Sequence, residues 1–292
     1  MNRKEIIKQL QSKTGNSNVS LPAWIDFEIH EGVLLVGISL EGIFKNMQED
    51  DSAFEGWAIC LKAWMPELIK RVQISWNALV PEGEQKLHYN RFKYRVWKFV
   101  QNYEWTITNS DSFDNYDISN CVMNFPKKEA QEKAENIEST MERDYVSAHC
   151  SEYDVINHQL PVGVFDKKVS ALNRVFPGGN SQIDIWAMKD DVLHIFELKD
   201  KNNKKVGIIS ELMFYVNIMD DLMTHYINYP EDAKKIKLRG FDKLYDAYIN
   251  KKINKIKGHF LAEELHPLIS DNVVELINNN KLSHIEYLTR KL

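Results

Sequence analysis

The chain has 292 residues, 43% of them hydrophobic and 11% aromatic, with a formal net charge of −5. That apolar supply excludes a disordered chain, the charge balance excludes a global pull towards polyanions, and the length suits two domains of ordinary size. Three cysteines, Cys60, Cys121 and Cys150, fit neither a disulfide framework nor a zinc spacing, and with no secretory signal in "MNRKEIIKQLQSKTGNSNVS" and no window of roughly 18–20 apolar residues they point to a reducing, cytoplasmic compartment.

After a short helical pattern, "WIDFEIHEGVLLVGISLEG" predicts a hairpin with its turn at Glu31 and Gly32. Phe54, Trp57, Leu61, Trp64 and Leu68 recur at helical spacing, and the trailing stretch from Val72 to Leu79 fits either the same helix or a strand. "HYNRFKYRVWKFVQNYEW" puts Tyr89, Phe92, Val96 and Phe99 on one helical face and Arg91, Arg95 and Lys98 on another. Between Lys86 and Lys98 five cations stand with no acid, so this stripe is a candidate contact for phosphates. Five of the seven tryptophans, Trp57, Trp64, Trp76, Trp97 and Trp105, lie on apolar faces, which favours burial over base stacking.

The Ser, Asn and Asp-rich run "TNSDSFDNYDISN" and then Pro126 mark a boundary. The reading is an α/β (α+β) chain: residues 1–125 form an N-terminal α+β domain, 126–292 a second domain. A long helix follows Pro126, with Ala130, Ala134, Ile137, Met141 and Ala148 on its apolar face; "NHQLPVGVF", "SQIDIWAM" and "DVLHIFELK" read as three strands, with turns at Pro177 to Asn180 and Lys189 to Asp191. "VGIISELMFYVNIMDDLM" reads as a helix, then come a basic region expected to be helical, a strand in "GHFLAEEL" and a final helix and strand.

Two of these strands carry acids where plain apolar runs are expected. Alternation puts Asp184 on one face with Gln182 and Trp186, and Glu197 on one face with Lys199, Leu193 and Ile195. If the strands pair as neighbours, the two carboxylates and the ammonium share a face. Carboxylates held that close repel unless a cation neutralises them, and hard oxygen ligands suit Mg²⁺ or Mn²⁺, with water and substrate phosphate filling the other positions. The chemistry expected is metal-assisted phosphodiester hydrolysis, with Lys199 acting on the attacking water or on the developing charge.

"IDIWA…VLHIFELK" resembles the PD-(D/E)XK, or restriction-endonuclease-like, nuclease superfamily, with Asp184 in the place of its first acid and Glu197 and Lys199 in its Glu-x-Lys. The likeness covers about residues 127–267 and implies a mixed β-sheet flanked by helices. It also implies a glutamate on the preceding helix, matched by Glu142 or, one turn earlier on a similar face, Glu138, that completes the metal site with Asp184, Glu197 and the Leu198 carbonyl. "GIISELMFYV" looks like the superfamily's Gln-x-x-x-Tyr helix: Tyr215 keeps the tyrosine, whereas Glu211 stands at the glutamine position, and an ionised carboxylate cannot donate a hydrogen bond.

The implied partner is DNA. Lys204 and Lys205 in "KDKNNKK", and Lys234 and Lys235 at the head of a stretch to Lys257 with nine Lys or Arg against two Asp, join the Arg91, Arg95 and Lys98 stripe as candidate phosphate contacts. The N-terminal domain is left for substrate selection or for pairing in a homodimer. His149, His158 and His194 lack a zinc spacing and read as structural. Two rival readings remain: a catalytically inactive nuclease-fold module that binds nucleic acid or a protein, and a hydrolase of another phosphorylated substrate.

Overall fold

The computed structural model describes residues 1–77, 80–108, 117–127, 137–178, 181–201 and 203–292. The chain is an α+β protein that divides into two compact units. The first comprises residues 1–116, 205–211 and 265–283, and the second comprises 117–204, 212–264 and 284–292. The division therefore falls nine residues before the boundary read at Pro126 (126 against 117), and two segments placed by sequence in the C-terminal domain group with the N-terminal one.

In the first unit, helix α1 (Arg3–Thr14) starts on a capping box, in which the Asn2 side chain accepts from the Glu5 N–H and the Glu5 carboxylate accepts from the Asn2 N–H. It ends on Gly15 at φ 65°. Strands β1 (Ile25–His30) and β2 (Val33–Ile38) form the expected hairpin, with Glu31 and Gly32 both left-handed at φ 49° and 80°, as a tight two-residue turn requires. Helices α2 (Leu40–Phe44) and α3 (Phe54–Trp64) return the chain to β3 (Arg71–Trp76), parallel to β2, and α4 (Gly83–Asn102) returns it to β4 (Thr106–Thr108), parallel to β3. The sheet order is β1-β2-β3-β4. Phe54 packs edge-on against Phe92 and Phe99 of α4, at 5.6 and 6.1 Å between ring centres.

The later segments of this unit are keyed in by hydrogen bonds. Tyr103 donates to the Ile277 carbonyl of α8 (Asp271–Asn278), and Trp64 Nε1 donates to the Leu268 carbonyl. Gly207 opens helix α6 (Gly207–Met223), whose residues 207–211 belong here; a Cβ on it would sit 1.9 Å from the Gln48 carbonyl oxygen, so only glycine fits.

In the second unit a five-stranded mixed sheet runs β11-β10-β9-β8-β6. The strands are β6 (Val155–Pro161), β8 (Gln182–Lys189), β9 (Val192–Lys199), β10 (Lys255–Ala262) and β11 (Ile285–Arg290). β8 is antiparallel to β6 and β9, while β9, β10 and β11 run parallel. Helix α5 (Ile137–His149) covers one face through a cluster of Tyr145, Ile156, Ile185, Ala187, Phe196, Leu198 and Leu261. Residues 212–223 of α6 meet the other face, where a Cβ on Gly258 would come within 2.9 Å of Val216.

Two expectations need revising in this unit. "NHQLPVGVF" is not one strand: after β6 the chain turns away, and β7 (Val164–Asp166) pairs antiparallel with β5 (Cys121–Met123) in a separate two-stranded sheet. In the basic region only α7 (Phe241–Ile249) is α-helical, because Arg239 and Gly240 just before it take positive φ of 53° and 70°. Of the long helix predicted after Pro126 the structure describes α5 alone; Ala130, Ala134, Gly179 and Asn180 lie outside the described residues.

Candidate active site

Strands β8 and β9 pair in register from Lys189 opposite Val192 to Ile185 opposite Phe196. The same register continued by one residue would set Asp184 opposite Glu197, but the ladder stops there. Instead the Asp184 carboxylate accepts the backbone N–H of Leu198 at 2.8 Å, so the two strands open at the end that carries the acids. Their side chains are sorted by alternation. Ile185, Ala187, Phe196 and Leu198 go into the core under α5, which leaves Gln182, Asp184, Glu197 and Lys199 on the opposite face.

Glu197 is 1% exposed and Lys199 8% exposed, and the Lys199 ammonium lies 2.5 Å from Glu197 Oε1. This is the side-by-side projection expected of residues two apart on a strand. Carboxylates withdrawn from water cost several kcal/mol each unless countered. Lys199 counters one negative charge, and Asp184, half-buried, brings a second onto the same face. Among the described residues, no group of three or more His, Cys, Asp or Glu side chains is arranged to hold a metal ion. Asp184 and Glu197 still offer a two-carboxylate, hard-oxygen set, which is as many protein carboxylates as Mg²⁺ ordinarily takes. In donor chemistry the pair fits Mg²⁺ or Mn²⁺.

Glu142 is buried on α5, where its Oε2 accepts from Gln159 Nε2 at 3.3 Å and lies 3.6 Å from His158 Nδ1. Gln159 is the position missing from the β6–β8 register, between His158 opposite Ile185 and Leu160 opposite Ile183, so it flanks Asp184; its φ is 55°. Arg239 Nη1 braces this distortion by donating to the His158 and Gln159 carbonyls at 3.3 and 3.1 Å. Gln159 and Arg239 were missed in the sequence, where nothing announces a left-handed glutamine. Glu211 and Tyr215 are both buried on α6, one turn apart.

The basic stripe of α4 requires correction. Arg95 is 3% exposed; its guanidinium binds both Glu55 carboxylate oxygens and donates to the Ser52 carbonyl at 2.7 Å. Arg91 is buried with its Nη2 on the Lys45 carbonyl at 2.9 Å, and Lys98 is buried with its ammonium 4.8 Å from the Trp97 ring centre. Cations used up inside their own unit have no surface to offer a phosphate. Lys234 and Lys235 are exposed as expected, whereas Lys204 pairs with Glu264 at 2.5 Å and Lys205 with Glu49 at 3.0 Å.

His149 stacks on Tyr145, with 4.0 Å between ring centres, and His194 bonds to His259 at 2.9 Å, so both are engaged in the packing of their unit. Among the described residues no helix is long and apolar enough to cross a membrane. No family model, no curated protein and no solved structure matches this chain.

Proposed function

We propose that the chain is a metal-dependent nuclease that hydrolyses DNA phosphodiester bonds, with a restriction-endonuclease-like fold in its second unit. The observation that carries this reading is the shared face of Asp184, Glu197 and Lys199 at the opened end of β8 and β9. The order of elements supports it: a glutamate-bearing helix (α5), the acid strand, an antiparallel Glu-x-Lys strand, a tyrosine-bearing helix (α6) and a parallel strand (β10).

Asp184 and Glu197 would hold a Mg²⁺ or Mn²⁺ ion, with the Leu198 carbonyl and water as further donors; Glu142, on the α5 side of the sheet, would stay outside that ligand shell. Such an ion lowers the pKa of its bound water and offsets charge on the phosphoryl oxygens. The Asp184 side chain is fixed in place by the Leu198 N–H, so its carboxylate does not need to be ordered on binding. Lys199 pairs with Glu197 and, on a flexible stem, can carry an N–H to the attacking water or to a phosphate oxygen. Exposed Lys234 and Lys235 add phosphate contacts from the same unit.

The test is incubation with plasmid, linear and single-stranded DNA in Mg²⁺, Mn²⁺ or EDTA. Metal-dependent cleavage is expected, and Lys199→Ala should abolish it while the circular dichroism spectrum stays unchanged. A variant that cuts at the wild-type rate refutes the role given to Lys199. One observation favours a second reading, a nuclease-fold module that binds without cutting: Glu211 occupies the place where the resemblance expects glutamine. DNA retarded but intact in every metal would select that module.

A further inference from the structure

Between β6 and β8 the second unit makes an excursion that the proposed chemistry does not use. The Val162 N–H donates to the Ser181 carbonyl at 2.9 Å, which closes the neck of the excursion three residues before Asp184. At a strand rise of about 3.3 Å per residue, the neck is roughly 10 Å from that carboxylate. From β7 the chain runs out as a narrow loop and returns through a bridge of Phe165 with Arg174.

The loop's tip is a single tight turn, Ala171–Asn173, held by its own polar groups. Asn173 Nδ2 donates to the Asp166 carbonyl at 2.9 Å, the Ser170 hydroxyl donates to Asn173 Oδ1 at 2.5 Å, and Arg174 Nε donates to the Ala171 carbonyl at 3.2 Å. At the apex Leu172 is 98% exposed. A lone exposed leucine is ordinary on a protein surface. This one sits at the apex of a turn braced by hydrogen bonds, in a loop whose outgoing arm carries exposed Lys167 and Lys168.

We propose that the loop from Asp166 to Arg174 is a duplex-DNA wedge, with Leu172 entering the base stack while Lys167 and Lys168 hold the flanking phosphates. Apolar side chains set between cations act in this way elsewhere, the unstacking cost being offset by the contacts that the bent duplex gains. An anionic membrane would also take a leucine flanked by lysines, but one leucine inserts weakly, and the neck beside Asp184 favours the polymer on which that site would act. The choice of DNA rests on the nuclease reading.

The experiment uses the full chain in EDTA, so that no cleavage enters, with duplexes carrying 2-aminopurine at successive positions. A fluorescence rise at one or two neighbouring positions is expected, lost in Leu172→Ala, a substitution at a fully exposed site that leaves the fold intact. Lys167→Gln with Lys168→Gln should lower the slope of log affinity against log salt by about two, close to one per phosphate contact. A rise that persists in Leu172→Ala, binding without any rise, or capture by phosphatidylserine vesicles with no DNA binding overturns the wedge. A leucine-dependent rise in a protein that never cuts with Mg²⁺ upholds the wedge and removes the nuclease reading alone; cleavage with a leucine-independent rise does the reverse.

Discussion

Each unit buries an ion pair, and the two pairs are built differently. In the first, Arg95 of α4 holds Glu55 of α3, 40 residues away, and the Ser210 hydroxyl donates to the same carboxylate from 155 residues away at 2.8 Å. That pair ties three distant stretches of chain together. In the second unit Lys199 and Glu197 are two residues apart on one strand. Their contact joins nothing that the backbone has not already joined, so it brings the desolvation cost of burial without a cross-link. A buried charge that links distant segments is explained by the fold; one that pairs with its strand neighbour beside a second carboxylate needs another explanation, which the proposed site for a cation and a phosphate would supply.

The sharpest way to break this comparison is to remove the cation of the first pair. Arg95→Met keeps the volume and leaves Glu55 buried without its counter-charge, which should lower unfolding free energy by about 3–5 kcal/mol, read as a shift in urea midpoint at unchanged slope. A loss under about 1 kcal/mol, the range of exposed pairs, would show that the link contributes no more than a surface contact.

The next effect compares one chemical change in two places. Glu55→Gln weakens charge-assisted bonds to Arg95 and should cost about 1.5–3 kcal/mol. Asp184→Asn keeps an oxygen to accept the Leu198 N–H and removes one of two like charges. Its stability should stay within about 1 kcal/mol of wild type, roughly one ordinary hydrogen bond, while metal-dependent cleavage is lost. Denaturation curves and a cleavage assay decide; equal losses of stability at the two positions would erase the distinction between staple and site.

The same contrast explains what was legible in the sequence. The period of a strand is two whatever its surroundings, so Glu197 and Lys199 could be assigned to one face from the sequence alone, and Asp184 joined them on the condition that β8 and β9 pair, which they do. A helix face gives no such assurance. The spacing of Arg91, Arg95 and Lys98 sets them on one stripe, but whether water or protein covers that stripe depends on Glu55 and Ser52, which lie far off in sequence. The unit boundary was obscured for a similar reason. Gly207 reads as a plain helix start, and its close approach to the Gln48 carbonyl is visible only in three dimensions. The break after β6 was hidden because a strand bent away to a new partner keeps its apolar pattern.

A third way to bury titratable groups avoids charge, and it gives the smallest effect at neutral pH. On the α5 face of the second unit, His194 and His259 share a hydrogen bond of 2.9 Å, and His259 stacks on Phe196 at 4.3 Å. Burial pushes both imidazoles down, His194 to about 4 and His259 to about 3, with Lys257 and Arg290 adding repulsion at each. The folded pKa values lie below the ordinary value of about 6.5, so between pH 6.5 and 4 the unfolded chain binds more protons than the folded one. Stability must then fall as pH falls through that window, and above it these groups contribute no pH dependence. His259→Phe keeps the stack and removes one proton site, so its unfolding free energy, measured at pH 7, 6, 5 and 4, should fall less steeply than that of wild type. Parallel curves would mean that the acid sensitivity of this unit comes from its carboxylates, the site pair among them, and the neutral burial of His259 would no longer stand apart from the two charged cases.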